Sequence, residues 1–411
     1  MTAPAYTSPA RARGSGNYLP PAPVQKRWRD SIRVWWREID KLLLLLIGLL
    51  MAVGIIAVAA ASPASADQLS TIKERVPDFM FFQRHIVFQL MGLTLMIGLS
   101  FLERDQARRL GILVGAVMLA LLFVVPIIGE EKNGAKRWIK VGMSLQPSEF
   151  LKPGFAIICA WILSWRLRDP GLPVIAFVTG FFVLIAGLLM LQPNLGDAIL
   201  FGGIWLVMVL LAGLPWQRIV GVGVAGVVGL SLAYMFYDNA RHRIDGFLGG
   251  GTAFDQVDLA QRTITAGGWT GTGLWLGIRK MNLPEAHTDY IFSVIGEEFG
   301  LIMCGIIVLL YCALVLRALM RLTGEDNLFA LLAGAGLITQ FGGQAFINIL
   351  VNLKLFPSKG MTLPLISYGG SSTLAVCFTL GLLLAITRRN PFLAREGTSL
   401  RDLIERKESG V

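Results

Sequence analysis

Residues 42–61 read LLLLLIGLLMAVGIIAVAAA, an apolar run without a charged or hydrogen-bonding side chain. A helix of about 20 such residues spans the hydrocarbon core of a bilayer, which is roughly 30 Å thick. Similar blocks recur along the chain, and only 16% of its 411 residues are charged, against about a quarter in a typical soluble domain. The sequence therefore predicts an all-α, polytopic integral membrane protein.

Further apolar blocks follow the first, and each approaches the length that a membrane-spanning helix needs. The predicted spans are 42–61, 86–102, 110–128, 148–165, 173–191, 195–213, 219–236, 299–320, 328–352 and 366–387. The second and fourth are short or polar, which leaves a nine-span chain as an alternative. We expect about ten transmembrane helices and one long loop, residues 237–298.

Lysine and arginine residues in the short loops predict the orientation, because they are enriched on the cytoplasmic side of a membrane. In a ten-span chain the basic N-terminal arm, every second loop and the C-terminal tail share one face. This predicts a cytoplasmic arm 1–41, a transmembrane domain 42–390 and a cytoplasmic tail 391–411. The loop 237–298 is then extracytoplasmic. One outward loop departs from the rule, because it is basic at Lys132, Lys136, Arg137 and Lys140.

The net charge of +10 is explained by topology and anionic lipid rather than by nucleic acid, because the basic residues flank apolar blocks. The four cysteines lie inside apolar blocks, and the three histidines are scattered. Neither residue type shows the spacing of a zinc site or of a disulfide framework.

Ionisable residues at the start of two predicted spans are candidates for chemistry. Glu149 and Lys152 are three residues apart and share one helix face. Such groups at membrane depth usually face a cavity or each other. An interfacial ion pair with Ser148 as the helix N-cap is an equally good interpretation. Asp197 follows a tight turn, where it would favourably occupy the first turn of the next helix.

The long loop combines glycines with cations and ends in the phrase PEAHTDYIF, residues 284–292. Its cations include Arg243, Arg262 and Lys280, and such groups suit phosphate. A carboxylate just above the membrane and near cations is a candidate general base. Solvated loop charges with helix-capping acids would explain the same pattern.

A second irregular segment, residues 356–372, joins the last two predicted spans. It reads FPSKGMTLPLISYGGSS, and its prolines and glycines make a continuous helix unfavourable. Irregular backbone at membrane depth must line a cavity or be buried in protein. We therefore expect either a cavity-lining segment or an ordinary loop.

Together these segments resemble the SEDS family (shape, elongation, division and sporulation) of bacterial membrane proteins that polymerise peptidoglycan. PEAHTDYIF at 284–292 and LPLISYGGSS at 363–372 carry the resemblance, which covers nearly all of residues 42–390. Glu285-Ala286 and the run KGMTLP at 359–364 are most similar to the division branch of the family, rather than to its elongation branch.

The resemblance implies an inverting glycosyltransferase that polymerises lipid II at the outer face of the bacterial inner (cytoplasmic) membrane, for the septal wall. Asp289 matches the essential aspartate of the family. The implied partners are a class B penicillin-binding protein and other division proteins, and the only candidate cofactor is a divalent cation, Mg²⁺ or Mn²⁺. The expected substrate-binding residues are Arg137, Trp138, Glu149, Lys152, Arg243, Gln261, Arg262, Lys280, His287, Thr288, Lys359, Ser367, Tyr368 and Ser371.

The chain departs from the family pattern at Asn194, where an aspartate is usual, and at Asp197, where a small or neutral residue is common. Either the carboxylate has moved along the chain or its role is weakened. The run 273–277 is also more apolar than the corresponding run is in most members of the family. A lipid II flippase, an elongation-type polymerase and a division scaffold remain alternative functions.

Overall fold

The computed structural model describes residues 28–70, 75–132, 135–167, 169, 171–213, 216–236, 241, 245, 256–358 and 360–388. Within them lie twelve α-helices and three short strands. The helices are α1 Trp28–Glu38, α2 Lys41–Leu69, α3 Met80–Ser100, α4 Arg104–Ile128, α5 Pro147–Ser164, α6 Val174–Leu191, α7 Leu195–Leu211, α8 Trp216–Phe236, α9 Gln256–Ala266, α10 Ile291–Leu322, α11 Leu328–Asn352 and α12 Gly370–Thr387. The strands are β1 Glu130–Lys132, β2 Ala135–Val141 and β3 Met143–Leu145.

Helix α1, with the sequence WRDSIRVWWRE, mixes tryptophan, arginine and aliphatic residues. Ile32, Val34 and Trp36 are exposed. Arginine beside tryptophan on a short amphipathic helix is typical of segments that lie in the membrane interface. The basic arm predicted for residues 1–41 therefore contains an amphipathic helix, and contact of this helix with the membrane is a prediction.

Each of the ten predicted spans coincides with one helix of the structure, namely α2 to α8 and α10 to α12. Seven of the described helices are long and apolar enough to cross a membrane, and α7 is a shorter apolar helix. The prediction of a polytopic helical membrane protein is confirmed.

Three helices begin at least six residues earlier than predicted, and in α4 and α10 charged residues in the added turns are paired. Helix α3 begins at Met80 instead of residue 86, α4 at Arg104 instead of 110, and α10 at Ile291 instead of 299. The carboxylate of Glu297 accepts hydrogen bonds from the backbone N–H groups of Arg279 and Lys280, at 2.7 and 2.9 Å. Charge in the sequence therefore marked the edge of the apolar stretch, and the helix continues beyond that edge.

A small antiparallel sheet in the order β1-β2-β3 occupies the connection between α4 and α5. Glu130 pairs with Trp138, and Ile139 pairs with Leu145. Gly142, whose φ of 71° lies in the left-handed region, forms the turn between β2 and β3. The all-α prediction missed this sheet, because strands of three to seven residues leave little periodic signal.

The end of the bundle opposite the sheet is held by ion pairs between helix ends. Asp40 caps α2 and pairs with Arg317, at 2.9 Å, and with Arg321. Arg104 at the start of α4 lies 2.8 Å from Glu325, after α10. Loops predicted to share a face therefore do share one end, whereas its cytoplasmic location stays a prediction.

Helices α11 and α12 form the centre of the bundle and are the most buried of the candidate spans. Helix α12 packs on α3, α5 packs on α4 and α11, and α2 packs on α10. The irregular segment before α12 crosses the face of α2 at Gly54. A Cβ atom at Gly54 would lie 2.5 Å from the carbonyl oxygen of Leu365, so only glycine permits this contact.

We predict that Gly54→Ala lowers the thermal stability of the purified protein, because the added methyl group collides with backbone. Gly48→Ala is the matched control on the same helix, since a Cβ there meets no atom within 4 Å. Alanine favours a helix over glycine by about 1 kcal/mol, so Gly48→Ala should be neutral or stabilising. Equal unfolding temperatures for the two variants would contradict the packing described.

Candidate active site

A cavity of about 1220 Å³ lies at the end of the bundle that carries the sheet. This volume exceeds the roughly 300–1,000 Å³ of ordinary small-molecule pockets. Its wall combines the start of α3, the sheet, the start of α5, the turn before α10 and the segment before α12. The predicted site residues that line it are Arg137, Trp138, Glu149, Thr288, Asp289, Tyr368 and Ser371.

Buried amides of α11 hold the backbone of Asp289. The carbonyl oxygen of Asp289 accepts hydrogen bonds from Nδ2 of Asn348, at 2.8 Å, and from Nδ2 of Asn352, at 3.0 Å. Asn348 also donates to the carbonyl oxygen of Met361, at 2.6 Å, and Ser293 Oγ donates to Oδ1 of Asn352, at 2.7 Å. The central helix of the bundle thus fixes the position of a carboxylate that lines the cavity.

The remainder of the His-Thr-Asp motif is supported from the segment before α12. Ser367 Oγ donates to the carbonyl oxygen of Thr288, at 2.5 Å, and the His287 ring lies 5.4 Å from the Tyr368 ring. Burial lowers the pKa of His287 to about 4, although the Glu285 carboxylate acts in the opposite direction. At neutral pH His287 is uncharged and lies, like Ser367, behind the lining, where it supports the turn rather than binding an anion.

Arg137 reaches the same cavity from β2. Its Nε donates to the carbonyl oxygen of Gln192, at 3.1 Å, and its Nη2 donates to that of Pro193. A Cβ atom at Gly360 would lie 3.4 Å from Oδ2 of Asp289 and 3.9 Å from Nη1 of Arg137. A carboxylate and a guanidinium group therefore approach the same point of the cavity wall.

An ion cluster connects the starts of α5 and α7 beside the cavity. The Nζ atom of Lys152 is fully buried and lies 2.7 Å from Glu149 Oε1 and 2.9 Å from Asp197 Oδ1. Asp197 Oδ2 accepts hydrogen bonds from Ser148 Oγ, at 2.8 Å, and from Asn194 Nδ2, at 2.7 Å. The shared face of Glu149 and Lys152 is confirmed, and the Ser148 N-cap is wrong, because Gln146 is the N-cap residue.

Asp197 was not among the expected substrate-binding residues, although the sequence placed it at the start of a predicted span. The structure answers the question raised by the pair Asn194 and Asp197. Asn194 caps α7 by accepting a hydrogen bond from the backbone N–H of Asp197, at 3.3 Å. The carboxylate that pairs with Lys152 is supplied one turn later in the chain.

Lys280 is not among the cavity-lining residues, contrary to the sequence prediction. It is buried and paired with Glu298, and its Nζ donates to the carbonyl oxygen of Ala60, at 2.9 Å. Its charge is therefore neutralised between α2 and α10. A sequence shows that a lysine lies in a loop, but not that the loop folds inward.

Gln261 and Arg262 are exposed on α9, outside the cavity lining. Arg243 and Lys359 lie outside the described residues. Arg84 was missed, although it lines the cavity from the first turns of α3. Its signal was the polar run Gln83-Arg84-His85 directly before the second predicted span.

Among the described residues, no group of three or more His, Cys, Asp or Glu side chains could hold a metal ion. These residues therefore do not form a metal cage of their own. The divalent cation stays a prediction.

The sequence model of a family described as cell cycle protein, FtsW/RodA/SpoVE, matches residues 40–391. The chain belongs to this family. The probable peptidoglycan glycosyltransferase FtsW of Caulobacter vibrioides is 35% identical over 365 residues, which cover 88% of this chain and 93% of that protein. The protein of the same name from Geobacter metallireducens is 35% identical over 359 residues, covering 84% and 94%.

Solved structures agree with this membership. A chain of a peptidoglycan synthase complex that coordinates polymerization and crosslinking is 28% identical and superimposes with a TM-score of 0.70, covering 86% of this chain and 98% of that one. The rod shape determining protein RodA of Thermus thermophilus gives a TM-score of 0.62 at 28% identity, with the same coverage. The SEDS resemblance is confirmed, and the FtsW relatives agree with the division branch.

We predict that Asn348→Leu loosens the turn that carries Asp289, because two backbone carbonyls lose a buried donor. Hydrogen–deuterium exchange of the backbone amides in residues 286–290 should become faster. The control is Gln340→Leu on the same helix, whose amide bonds Thr379 Oγ1 at 3.2 Å, far along α11 from the turn. If both variants exchanged like the unmodified chain, the clamp would have no effect on the turn.

We also predict that Lys152→Met destabilises the protein by about 3–5 kcal/mol, the usual cost of removing one partner from a buried ion pair. Glu149 and Asp197 would otherwise repel each other without their cation. Adding Asp197→Asn to Lys152→Met should recover part of the loss in denaturant-induced unfolding. Lys140→Met, at an exposed lysine of β2, is the control. An unaltered unfolding midpoint for Lys152→Met would refute the assigned cluster.

Proposed function

We propose that the protein is a peptidoglycan glycosyltransferase that polymerises lipid II at the outer face of the cytoplasmic membrane. The observation that carries the proposal is the approach of Asp289 Oδ2 and Arg137 Nη1 to one point beside Gly360. A candidate base and an anion-binding group at one point suit a reaction of a hydroxyl group with a diphosphate-linked sugar. The names of the curated relatives support the same activity.

Asp289 is the proposed general base. Its carboxylate takes the proton from the 4-hydroxyl group of the acceptor sugar while that oxygen attacks the anomeric carbon of the donor. A new glycosidic C–O bond forms as the bond between the anomeric carbon and the diphosphate oxygen breaks. An α-linked donor gives a β-linked product by one inversion, so no covalent sugar–enzyme intermediate is required.

Arg137 and Arg84 are the proposed partners of the departing polyprenyl diphosphate, because both line the cavity. Arg137 is pre-positioned by the two carbonyl groups of the α6–α7 turn. Fixed donors need little reorganisation as negative charge develops on a leaving group. Lys152 does not act directly, since two carboxylates already neutralise it. Its proposed role is to hold Glu149 at the cavity wall.

We further propose a role in septal wall synthesis together with a class B penicillin-binding protein. The FtsW names of the curated relatives support the division role. The related peptidoglycan synthase complex, whose activities are polymerization and crosslinking, supports a crosslinking partner. Both termini would face the cytoplasm, as the basic loops predict.

The flippase alternative would need polar side chains along the whole path across the bilayer. In the described helices, the charged clusters instead lie at opposite ends. Asp40 with its two arginines lies at one end, and Glu149 with Lys152 lies at the other. This arrangement favours chemistry at one membrane surface.

The test is polymerisation of labelled lipid II by the purified protein, with and without a cognate penicillin-binding protein, followed on a gel. Asp289→Asn should lower the rate by about 10²-fold or more, because general-base assistance is worth roughly 10²–10⁴-fold. Asp169→Asn, at an exposed aspartate outside the cavity, should polymerise normally. Normal polymer from Asp289→Asn would refute the base, and translocation of lipid II without polymer would favour the flippase.

A further inference from the structure

The loop between α9 and the Asp289 turn exposes several large apolar side chains. We refer to residues 267–282 as the anchor segment. Trp269 is 73% exposed, Leu276 is 68% exposed and Ile278 is 77% exposed, and Leu274 and Trp275 are exposed beside them. A contiguous apolar patch on a protein surface usually marks an interaction site. The preceding helix α9 instead exposes polar side chains, such as those of Gln261, Arg262 and Thr265.

The anchor segment is docked tightly on α10. The backbone N–H of Thr272 donates to the carbonyl oxygen of Glu297, at 2.9 Å, and that of Gly273 donates to the carbonyl oxygen of Glu298, at 3.0 Å. A Cβ atom at Gly271 would lie 2.1 Å from that same Glu298 oxygen, so glycine is required. The exposed side chains therefore project from a backbone with a defined position.

The other side of the anchor segment is attached to α2. The Nζ of Lys280 donates to the carbonyl oxygen of Ala60, at 2.9 Å, and Nε1 of Trp275 donates to that of Ala59, at 3.2 Å. Nε2 of Gln68 donates to the carbonyl oxygen of Met281, at 2.8 Å. The segment thus lies between two membrane-spanning helices, and its contacts with α2 come before the end of that helix at Leu69.

The depth of the segment can be read from α2. This helix begins at Lys41, where Asp40 pairs with arginines at the opposite end of the bundle. At 1.5 Å per residue, Ala60 lies about 28 Å from Lys41 along the helix. The hydrocarbon core of a bilayer is about 30 Å thick. Trp275 and Lys280 are therefore bound at the level where hydrocarbon gives way to headgroups on the cavity side.

Helix α10 gives the same depth independently. The backbone N–H groups of Leu301 and Ile302 donate to the carbonyl oxygens of Gly268 and Trp269, at 3.0 and 3.3 Å. From Leu322, at the opposite end of α10, Ile302 lies about 30 Å along the helix. Both helices thus place the anchor segment at one boundary of the hydrocarbon core.

We propose that the anchor segment is inserted into the lipid leaflet on the cavity side, and that its partner is the bilayer itself. Trp269 and Trp275 occupy the interface, where tryptophan is enriched in membrane proteins. Leu276 and Ile278 enter the acyl-chain region beside the lipid-facing surfaces of α2 and α10. The buried pair Lys280–Glu298 holds the segment from within.

The position of the anchor segment also affects the active-site cavity, and this effect rests on the proposed function. The anchor segment ends at Asn282, and the cavity-lining turn with Pro284 and Asp289 follows directly. Insertion into the leaflet therefore sets the height of Asp289 relative to the membrane surface. A diphosphate carried on a lipid lies near that surface, so the anchor segment holds the proposed base in reach of it.

Fluorescence of a labelled cysteine tests the insertion. The full chain carries Cys312→Ala, because Cys312 is exposed whereas the other three cysteines are buried. An environment-sensitive nitrobenzoxadiazole dye is attached at Leu276→Cys or Ile278→Cys, and at Gln261→Cys on α9 as the matched control. The protein is reconstituted in phosphatidylcholine vesicles with or without brominated acyl chains. We expect blue-shifted emission and severalfold stronger quenching at 276 and 278 than at 261.

Labels at 276 and 278 that remain as accessible to water as the label at 261 would overturn the proposal, and the patch would then be a surface for another protein. The same quenching is expected in an Asp289→Asn chain, because insertion does not depend on catalysis. Failure of the anchor and failure of the proposed glycosyltransferase activity are therefore distinguished.

Discussion

The buried ammonium group of Lys152 joins three helices beside the cavity. Its carboxylate partners come from α5 and α7, and the side-chain oxygen of Gln344 on α11 lies 3.4 Å away. An ion buried in an apolar bundle costs several kcal/mol unless it is paired. Three helix segments are consequently required to meet at one point. Glu149 is placed on the cavity wall by this requirement.

A second set of polar contacts consists of hydrogen bonds to backbone carbonyl groups rather than of ion pairs. The turn that carries Asp289 is held through its carbonyl groups, by two asparagines of α11 and by Ser367. These donors bond to the backbone, and Asp289 itself lines the cavity. Preorganisation of this kind is what precise chemistry needs, because small displacements of a reacting group are costly to rate.

Much of the fold could be predicted from the sequence, because apolar blocks that cross a bilayer must be helices. The lengths of those helices could not. In the sequence, a charged residue such as Glu297 indicates the end of a membrane span. In the structure, the carboxylate of Glu297 lies within the helix and accepts hydrogen bonds from backbone N–H groups. The strands were missed for a different reason. They are too short for periodicity to distinguish them from a loop.

The site was predictable to a lesser degree. Motif phrases located Asp289, Arg137 and the Glu149–Lys152 pair, which the structure brings to one cavity and its wall. Lys280 was assigned to the same cavity because a cation in that loop would suit a phosphate group, but it pairs with Glu298 instead. Asp197 was left out, since its partner lies far away in the sequence. Long-range pairing is the information that residue type and spacing do not contain.

Helices α2 and α10 are joined near both ends. At one end Asp40 pairs with Arg317 and Arg321 of α10, and at the other Lys280 pairs with Glu298 of α10 and donates to the carbonyl oxygen of Ala60 in α2. Because these two sets of contacts lie near opposite ends of the helices, they oppose sliding and rotation of one helix past the other. The two helices are therefore held in a fixed relative position along the height of the bundle. The cavity is also lined by the start of α3 and by the start of α12, which take part in neither set of contacts.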